Sequence, residues 1–234
     1  MRIARFLMTG GSAIVLGALL AAAPVSTARQ SLDLDEVLRK MEQIGARVNS
    51  MSCDIVQQKW THLLKRFDTP ETGTFSFMRE KEGLVLRRDI KQPGQHSLVI
   101  RRGKVVFFQP AIKQAFEHNL GNNKNKAEFL LLGFGADRAA IGETYATKLL
   151  GSDTVNGRAT YKLELTPRSD DMAAFFPRIV LWIDAQWWIP IQQQLFEPTH
   201  DYLLVRFEKV KLNPKLKASS FELKLPKDVT VIKS

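Results

Sequence analysis

Side chains able to do chemistry are present in this sequence, but none is spaced to do it. The four histidines, His62, His96, His118 and His200, are scattered, and no two have the spacing of metal ligands. There is no G-x-S-x-G nucleophile turn, no P-loop and no dinucleotide fingerprint. Asp170 and Asp171 form a carboxylate pair, but they follow Pro167 in what reads as a solvated loop. Carboxylates that meet only in space leave no trace in a sequence. The single cysteine, Cys53, alternates in phase with Met51 and Ile55, which marks a small buried hydrophobe rather than a nucleophile. The expectation is a protein that is not an enzyme, with no catalytic residue, no metal and no cofactor.

Charge offers a second kind of chemistry. The net charge is +10. A basic balance suits nucleic acid, an anionic membrane surface or an acidic partner, and equally a plain soluble surface. The basic residues are spread along predicted strands, and no aromatic-basic motif of a nucleic-acid reader occurs, so no nucleic acid is expected. Lys209, Lys211, Lys215 and Lys217 make a local basic strand and loop, as lysine does where it blunts a sheet edge.

What remains is an excess of apolar bulk, and the elements that carry it are strands. From Gly73 to Phe116 runs of alternating residues follow one another. Phe75 and Phe77 share one face; Leu84, Leu86 and Ile90 share a face; Leu98 and Ile100 follow, then Val105 to Phe108. Period-two alternation of this kind marks antiparallel strands with one dry face. Gly83, Pro93-Gly94 and Gly103 stand where turns are needed. Ser52 to Trp60 reads as an earlier strand, and Thr61 to Thr72 as a long loop or hairpin tip. After Thr144 the period of two returns in Tyr161 to Thr166, Arg178 to Ile183, Ile189 to Phe196, Tyr202 to Leu212, Phe221 to Leu225 and the tail Val229 to Ile232. This gives roughly ten or eleven strands and suits a large curved antiparallel sheet, open or barrel-like.

Helices must cover such a sheet. Leu34, Val37, Leu38, Met41, Ile44 and Val48 follow helical spacing, with Asp33 and Glu36 placed as a capping box, so a one-sided helix is predicted from about Leu34 to Asn49. Asn125 to Gly135 is apolar around nearly its full circumference. It reads either as a core helix or as a plug or lid in a hydrophobic cavity. A further short helix begins near Asp137. Phe75, Phe77, Phe107, Phe108, Phe116, Trp182, Trp187, Trp188 and Phe196 are more bulk than one helix needs to cover. Under a strongly curved sheet they would line a lipid-sized cavity or fill a dry core.

The chain opens with Arg2 and Arg5, an apolar run from Ala13 to Ala23 that is too short to span a bilayer comfortably, and small residues after it. This reads as a signal peptide over residues 1–28, cleaved after Ala28 or, alternatively, after Ala23. Residues 29–234 read as a single domain, exported and soluble.

The motifs and their order resemble the LolA family of periplasmic outer-membrane lipoprotein carriers. An amphipathic helix precedes MSCDIVQQKW, then GTFSFMR, then IKQPGQHSLVIRRGKVVFFQPAIKQAF, with Pro93, Gly103, Phe107-Phe108 and Pro110 in the family's order. YKLELTPRSDD, FPRIVLWID and IPIQQQL follow, and Asn213, Phe221, Pro226 and Val229 close the pattern. The resemblance implies an α+β fold, mainly β: a strongly curved antiparallel half-barrel with helices over its concave hydrophobic face. It implies a monomeric periplasmic carrier that holds the acyl chains of a lipoprotein, or another lipid, in that cavity. An inner-membrane ABC-transporter complex would load it and an outer-membrane acceptor would unload it. The lining is expected from Phe75, Phe77, Leu84, Leu86, Phe107, Phe129, Leu131, Leu132, Trp182 and Phe196. By resemblance Arg79 is the latch that holds the lid closed through backbone carbonyls. The family usually has proline after that arginine; here it is Glu80, which is placed to pair with Arg79, while Arg87 or Arg88 could substitute. The alternative on the same scaffold is a sensor of lipid or of outer-membrane stress.

Overall fold

A computed structural model describes residues 32–119, Phe134 and 138–233. Asp33 opens the first element, its carboxylate accepting a hydrogen bond from the backbone N–H of Glu36 at 2.8 Å. Helix α1 (Leu34–Gly45) buries Val37, Leu38 and Met41 on one side. It ends at Gly45 rather than near Asn49: Ala46 closes the last turn on Glu42, and Val48, still buried, belongs to the turn that follows.

Strands then dominate: β1 (Ser50–Thr61), β2 (Arg66–Phe67), β3 (Glu71–Glu80), β4 (Gly83–Gln92), β5 (His96–Arg101), β6 (Lys104–Gln109) and β7 (Gln114–Asn119). A short helix, α2 (Arg138–Thr144), leads to β8 (Tyr145–Val155) and β9 (Arg158–Pro167). Helix α3 (Asp170–Ala173), β10 (Arg178–Asp184), β11 (Pro190–Phe196), β12 (Tyr202–Leu212) and β13 (Thr230–Lys233) complete the chain. Among the described residues all 13 strands join one sheet, ordered β13-β7-β6-β5-β4-β3-β1-β12-β11-β10-β9-β8, with β2 beside β1. The sheet is curved and unclosed. Every pairing is antiparallel except β13 with β7. The architecture is the α+β half-barrel expected, with more strands than the ten or eleven read from sequence.

Two glycines explain local geometry. Gly83 turns the β3–β4 hairpin with a φ of 119°, which a side chain would resist. At Gly73 the sheet itself leaves no room: a Cβ there would stand 2.0 Å from the carbonyl oxygen of Asp89, beside a register shift between β3 and β4.

Two sequence expectations are corrected. Phe221 to Leu225 is not a strand. Ala218–Phe221 is a 3-10 turn with Phe221 buried at 1% exposure. The Nη1 of Arg87 donates to the carbonyls of Ser220 and Glu222, so a side chain of β4 satisfies backbone groups that a neighbouring strand would otherwise meet. Asp170 and Asp171 are not in a loop but in the first turn of α3, capped by Ser169. Lys209 and Lys211 stand on β12, a central strand, but on the part that runs past the last β11 pairing at Arg206.

One buried carboxylate organises the β10–β11 turn. Asp184 is 1% exposed. It accepts from Arg158 Nε at 2.5 Å and from the backbone N–H groups of Gln186 and Trp187 at 2.9 and 2.8 Å. Burial pushes its carboxyl up, but Arg158 and the two N–H groups outweigh burial and hold it below its ordinary value of 3.8. A depressed folded pKa gives stability that is complete above the unfolded value and is lost as pH falls through the folded one. Asp184→Ala should cost roughly 2–4 kcal/mol in urea unfolding at pH 7, less than a sealed pair because Arg158 reaches water. Asp184→Asn should also lessen the stability lost below about pH 4 relative to the parent.

Candidate functional site

Alternation puts one set of side chains on the face that α1 covers. In register across the sheet lie Met51, Phe77, Leu86, Ile100 and Val105, and beside them Cys53, Phe75, Arg88, Leu98 and Phe107. Phe75, Phe77 and Leu86 are buried there with Ile55, Val205 and Phe207, and Leu84, Leu98 and Val105 pack at the margin. Phe107 shares this face by register, with its ring 5.4 Å from that of His96. A second cluster, Leu163, Leu165, Ile179, Leu181 and Leu195, lies under Val37, Leu38 and Met41 of α1. Leu203 packs against both.

Phe134 sits in the first cluster at 2% exposure. Its ring centroid is 5.0 Å from Phe207, 6.2 Å from Phe77 and 6.4 Å from Phe75. These are the edge-on and tilted contacts that aromatic rings favour. It belongs to the apolar stretch read as core helix or lid. The other expected lining residues of that stretch, Phe129, Leu131 and Leu132, lie outside the described residues.

Trp182 and Phe196 are not brought to this face. Trp182 packs with Val155, Val180 and Ile191 on the opposite side of the sheet, and Phe196 joins it there. Phe196 also meets Tyr202, which stacks on Trp60 at 5.9 Å. For Trp182 the reason is that β10 is buried on both faces from Ile179 to Asp184. Its apolar residues show no alternation from which a face could be read.

Polar groups stand on the apolar face too. Gln57 is 5% exposed and donates from Nε2 to Glu71 Oε2 at 2.5 Å. Arg88 Nη1 donates to Gln57 Oε1 at 3.4 Å. Burial pulls the Arg88 guanidinium below its ordinary pKa, and the charge of Glu71 opposes the pull. Beside Gln57 a groove of ≈ 680 Å³ opens, lined by Gln57, Glu71, Leu203, Lys59, Arg66 and Phe67 among others. Sequence reasoning missed Arg88 as part of this face, although its even spacing from Leu84, Leu86 and Ile90 was the available signal.

Arg79 donates from Nε to the carbonyl of Val48 at 3.2 Å, and its backbone N–H bonds to Asn49 at 2.8 Å. It thus reaches the turn after α1. Glu80 pairs instead with Arg101 at 2.9 Å, and Arg87 serves Asp89 and the C-terminal segment. Neither takes part in the contact that Arg79 makes to Val48. The Cys53 thiol donates to the carbonyl of Phe75, and burial, with the nearby charge of Asp54, pushes its pKa up to about 12. It stays protonated and is no nucleophile. Among the described residues no group of His, Cys, Asp and Glu is placed to hold a metal.

If Phe134 is a working part of this face, Phe134→Ala should lower stability by about 3 kcal/mol in urea unfolding. A loss under about 1 kcal/mol would mean that the ring contributes little to the packing around it.

A family model described as "Uncharacterized protein" matches residues 137–211, less than half of the chain. No curated protein matches. Among solved structures, an uncharacterized conserved protein from Thermus thermophilus is similar over 86% of this chain and 98% of that one, with a TM-score of 0.55 and 12% identity. The crystal structure of MucB is similar over 81% of this chain, with a TM-score of 0.50 and 16% identity; the chain spans 62% of MucB. A LolA superfamily protein, NE2245 from Nitrosomonas europaea, is similar over 82% of this chain and 99% of that one at 11% identity, and its TM-score of 0.39 is too low to carry an argument. What the chain shares with the Thermus protein and with part of MucB is the fold, a curved, unclosed antiparallel sheet with a few helices.

Proposed function

We propose that the chain is a periplasmic carrier that takes acyl chains, those of lipoproteins foremost, onto the apolar face of its half-barrel. The observation that carries this reading is the breadth of that face. It runs from Val105 to Leu165 across an unclosed sheet, and α1 alone does not cover it. Burying an acyl chain is worth about 0.8 kcal/mol per CH₂, so one long chain holds on the order of ten kcal/mol. A carrier needs a comparable refuge and a way to release the load. Phe134 sits in the first cluster, and an acyl chain taking its place would offset the packing it gives up. Phe129, Leu131 and Leu132 would move with it as a lid. Arg79, through Val48, would hold the other border of the face.

The order of the LolA-like motifs supports the direction of transport, from an inner-membrane ABC transporter to an outer-membrane acceptor. It also supports export by the segment 1–28. Among the described residues no helix is long and apolar enough to cross a membrane. The high pKa of Cys53 and the scattered histidines favour binding over catalysis.

Native mass spectrometry of the mature protein from its own periplasm tests the reading. Bound acylated lipoprotein is the expected result. A free lipid in its place would keep the carrier and change the cargo. An empty protein that also fails to take up lipoprotein on mixing would end the proposal. A stable complex with a membrane signalling protein, and no lipid, would favour the sensor. Leu131→Asp should reduce lipoprotein uptake at least several-fold; unchanged uptake and release would remove the lid from the mechanism.

A further inference from the structure

Every second residue of strand β4 faces the core, and at one inward position the residue is wrong for an apolar face. Leu84, Leu86 and Ile90 point to the core, and Arg88 stands between them in phase. Its cross-strand neighbours are Phe75 on β3 and Leu98 on β5. A guanidinium in such a place is costly unless its charge and its N–H groups are matched. Here they are matched only in part. No carboxylate lies within ion-pair distance of Arg88 among the described residues. Nη1 has one long hydrogen bond, to Gln57. Nε is sealed from solvent and has no partner. Glu71, the nearest negative charge in effect, is already engaged by the amide of Gln57. Yet Arg88 as a residue keeps part of its surface accessible.

We propose that Arg88 is the headgroup site of this apolar face, and that it binds an amphiphile with a singly charged anionic head, its acyl chain lying along Phe75, Phe77 and Leu86. This rests on the carrier reading and narrows its cargo. The guanidinium fork suits the paired oxygens of a carboxylate or a phosphodiester. The surrounding apolar side chains exclude water and strengthen that contact. Glu71, reached through Gln57, limits the charge: every negative charge on the head meets its repulsion, so a dianion is disfavoured more than a monoanion.

The test uses delipidated full-length mature protein and four single-chain probes: palmitate, lysophosphatidylglycerol, hexadecyl phosphate and uncharged hexadecanol. The parent should bind palmitate or lysophosphatidylglycerol about tenfold or more tighter than hexadecanol. Which of the two binds better separates a carboxylate source from a phosphodiester source. Arg88→Met should abolish the preference while hexadecanol binds as before. The variant should fold at least as stably as the parent, because a poorly matched buried charge is gone. Should Arg88→Met not fold, Glu71→Gln decides: it should improve binding of the dianionic hexadecyl phosphate several-fold relative to palmitate. A preference for anions that survives in Arg88→Met, or a charge ranking untouched in Glu71→Gln, would overturn the headgroup site while leaving the carrier standing. Failure of the parent to bind any of the four, or lipoprotein, would instead overturn the carrier reading on which the site rests.

Discussion

The structure depends on covering one broad apolar face. A sheet that closes into a barrel buries its inner side chains against each other; this sheet stays open between β8 and β13 and cannot. Helix α1 has 12 residues, about 18 Å of length, and serves the half made by β9, β10 and β11. There the cover is a capped helix with three buried side chains, and removing it would expose all of them together. Over β3, β4 and β5 the described cover includes a single ring, Phe134, set among three others. The described cover thus differs between the two halves, with Ile44 and Val48 also reaching the second.

Polar groups mark the same division. On the outer side of the sheet, Asp184 has its partners: Arg158 and two backbone N–H groups. Arg158 in turn lies over the ring of Trp187 at 4.1 Å, so its apolar face is used as well. The carboxylate is satisfied and fixes a turn, although Nη2 of Arg158 is buried without a partner. On the inner side, Gln57, Glu71 and Arg88 form a chain that ends in an N–H with nothing to bond. A buried N–H without a partner thus occurs in both sets; what sets Arg88 apart is that no carboxylate pairs with it among the described residues, whereas Arg158 has Asp184.

Much of this was legible in the sequence where one face of a strand is wet. Phe75 and Phe77, and Leu84, Leu86 and Ile90, gave their common face through alternation, and Asp33 gave the start of α1. The helix end was less visible, because Val48 keeps helical spacing while sitting in the turn beyond Gly45. Where both faces are dry, as along β10, alternation disappears, and the side of Trp182 is hidden for that reason; Phe196 is in phase with Gln192 and Gln194 of β11, a signal that places it on the outer face. Phe221 has the pattern of a strand residue because a buried aromatic amid polar and charged neighbours reads the same whether strands or a guanidinium satisfy the carbonyls on either side of it. Arg88 was visible as a charge but not as an inward one, since Arg87 beside it is equally charged and points out to Asp89.

The place of β1 has a consequence for how the chain comes together. It pairs on one side with β3, a near neighbour in sequence, and on the other with β12, as in Ile55 opposite Phe207. The strands from β3 to β7 can zip in order, each onto the one before. The second edge of β1 has no local partner and must wait for the last third of the chain. Closing so long a loop slows folding, and meanwhile an unpaired edge and half of an apolar face stand open. During that interval β12 of another copy is as good a partner as its own. The order in which the chain becomes available, and the concentration at which it does so, therefore help decide whether it folds alone or exchanges strands.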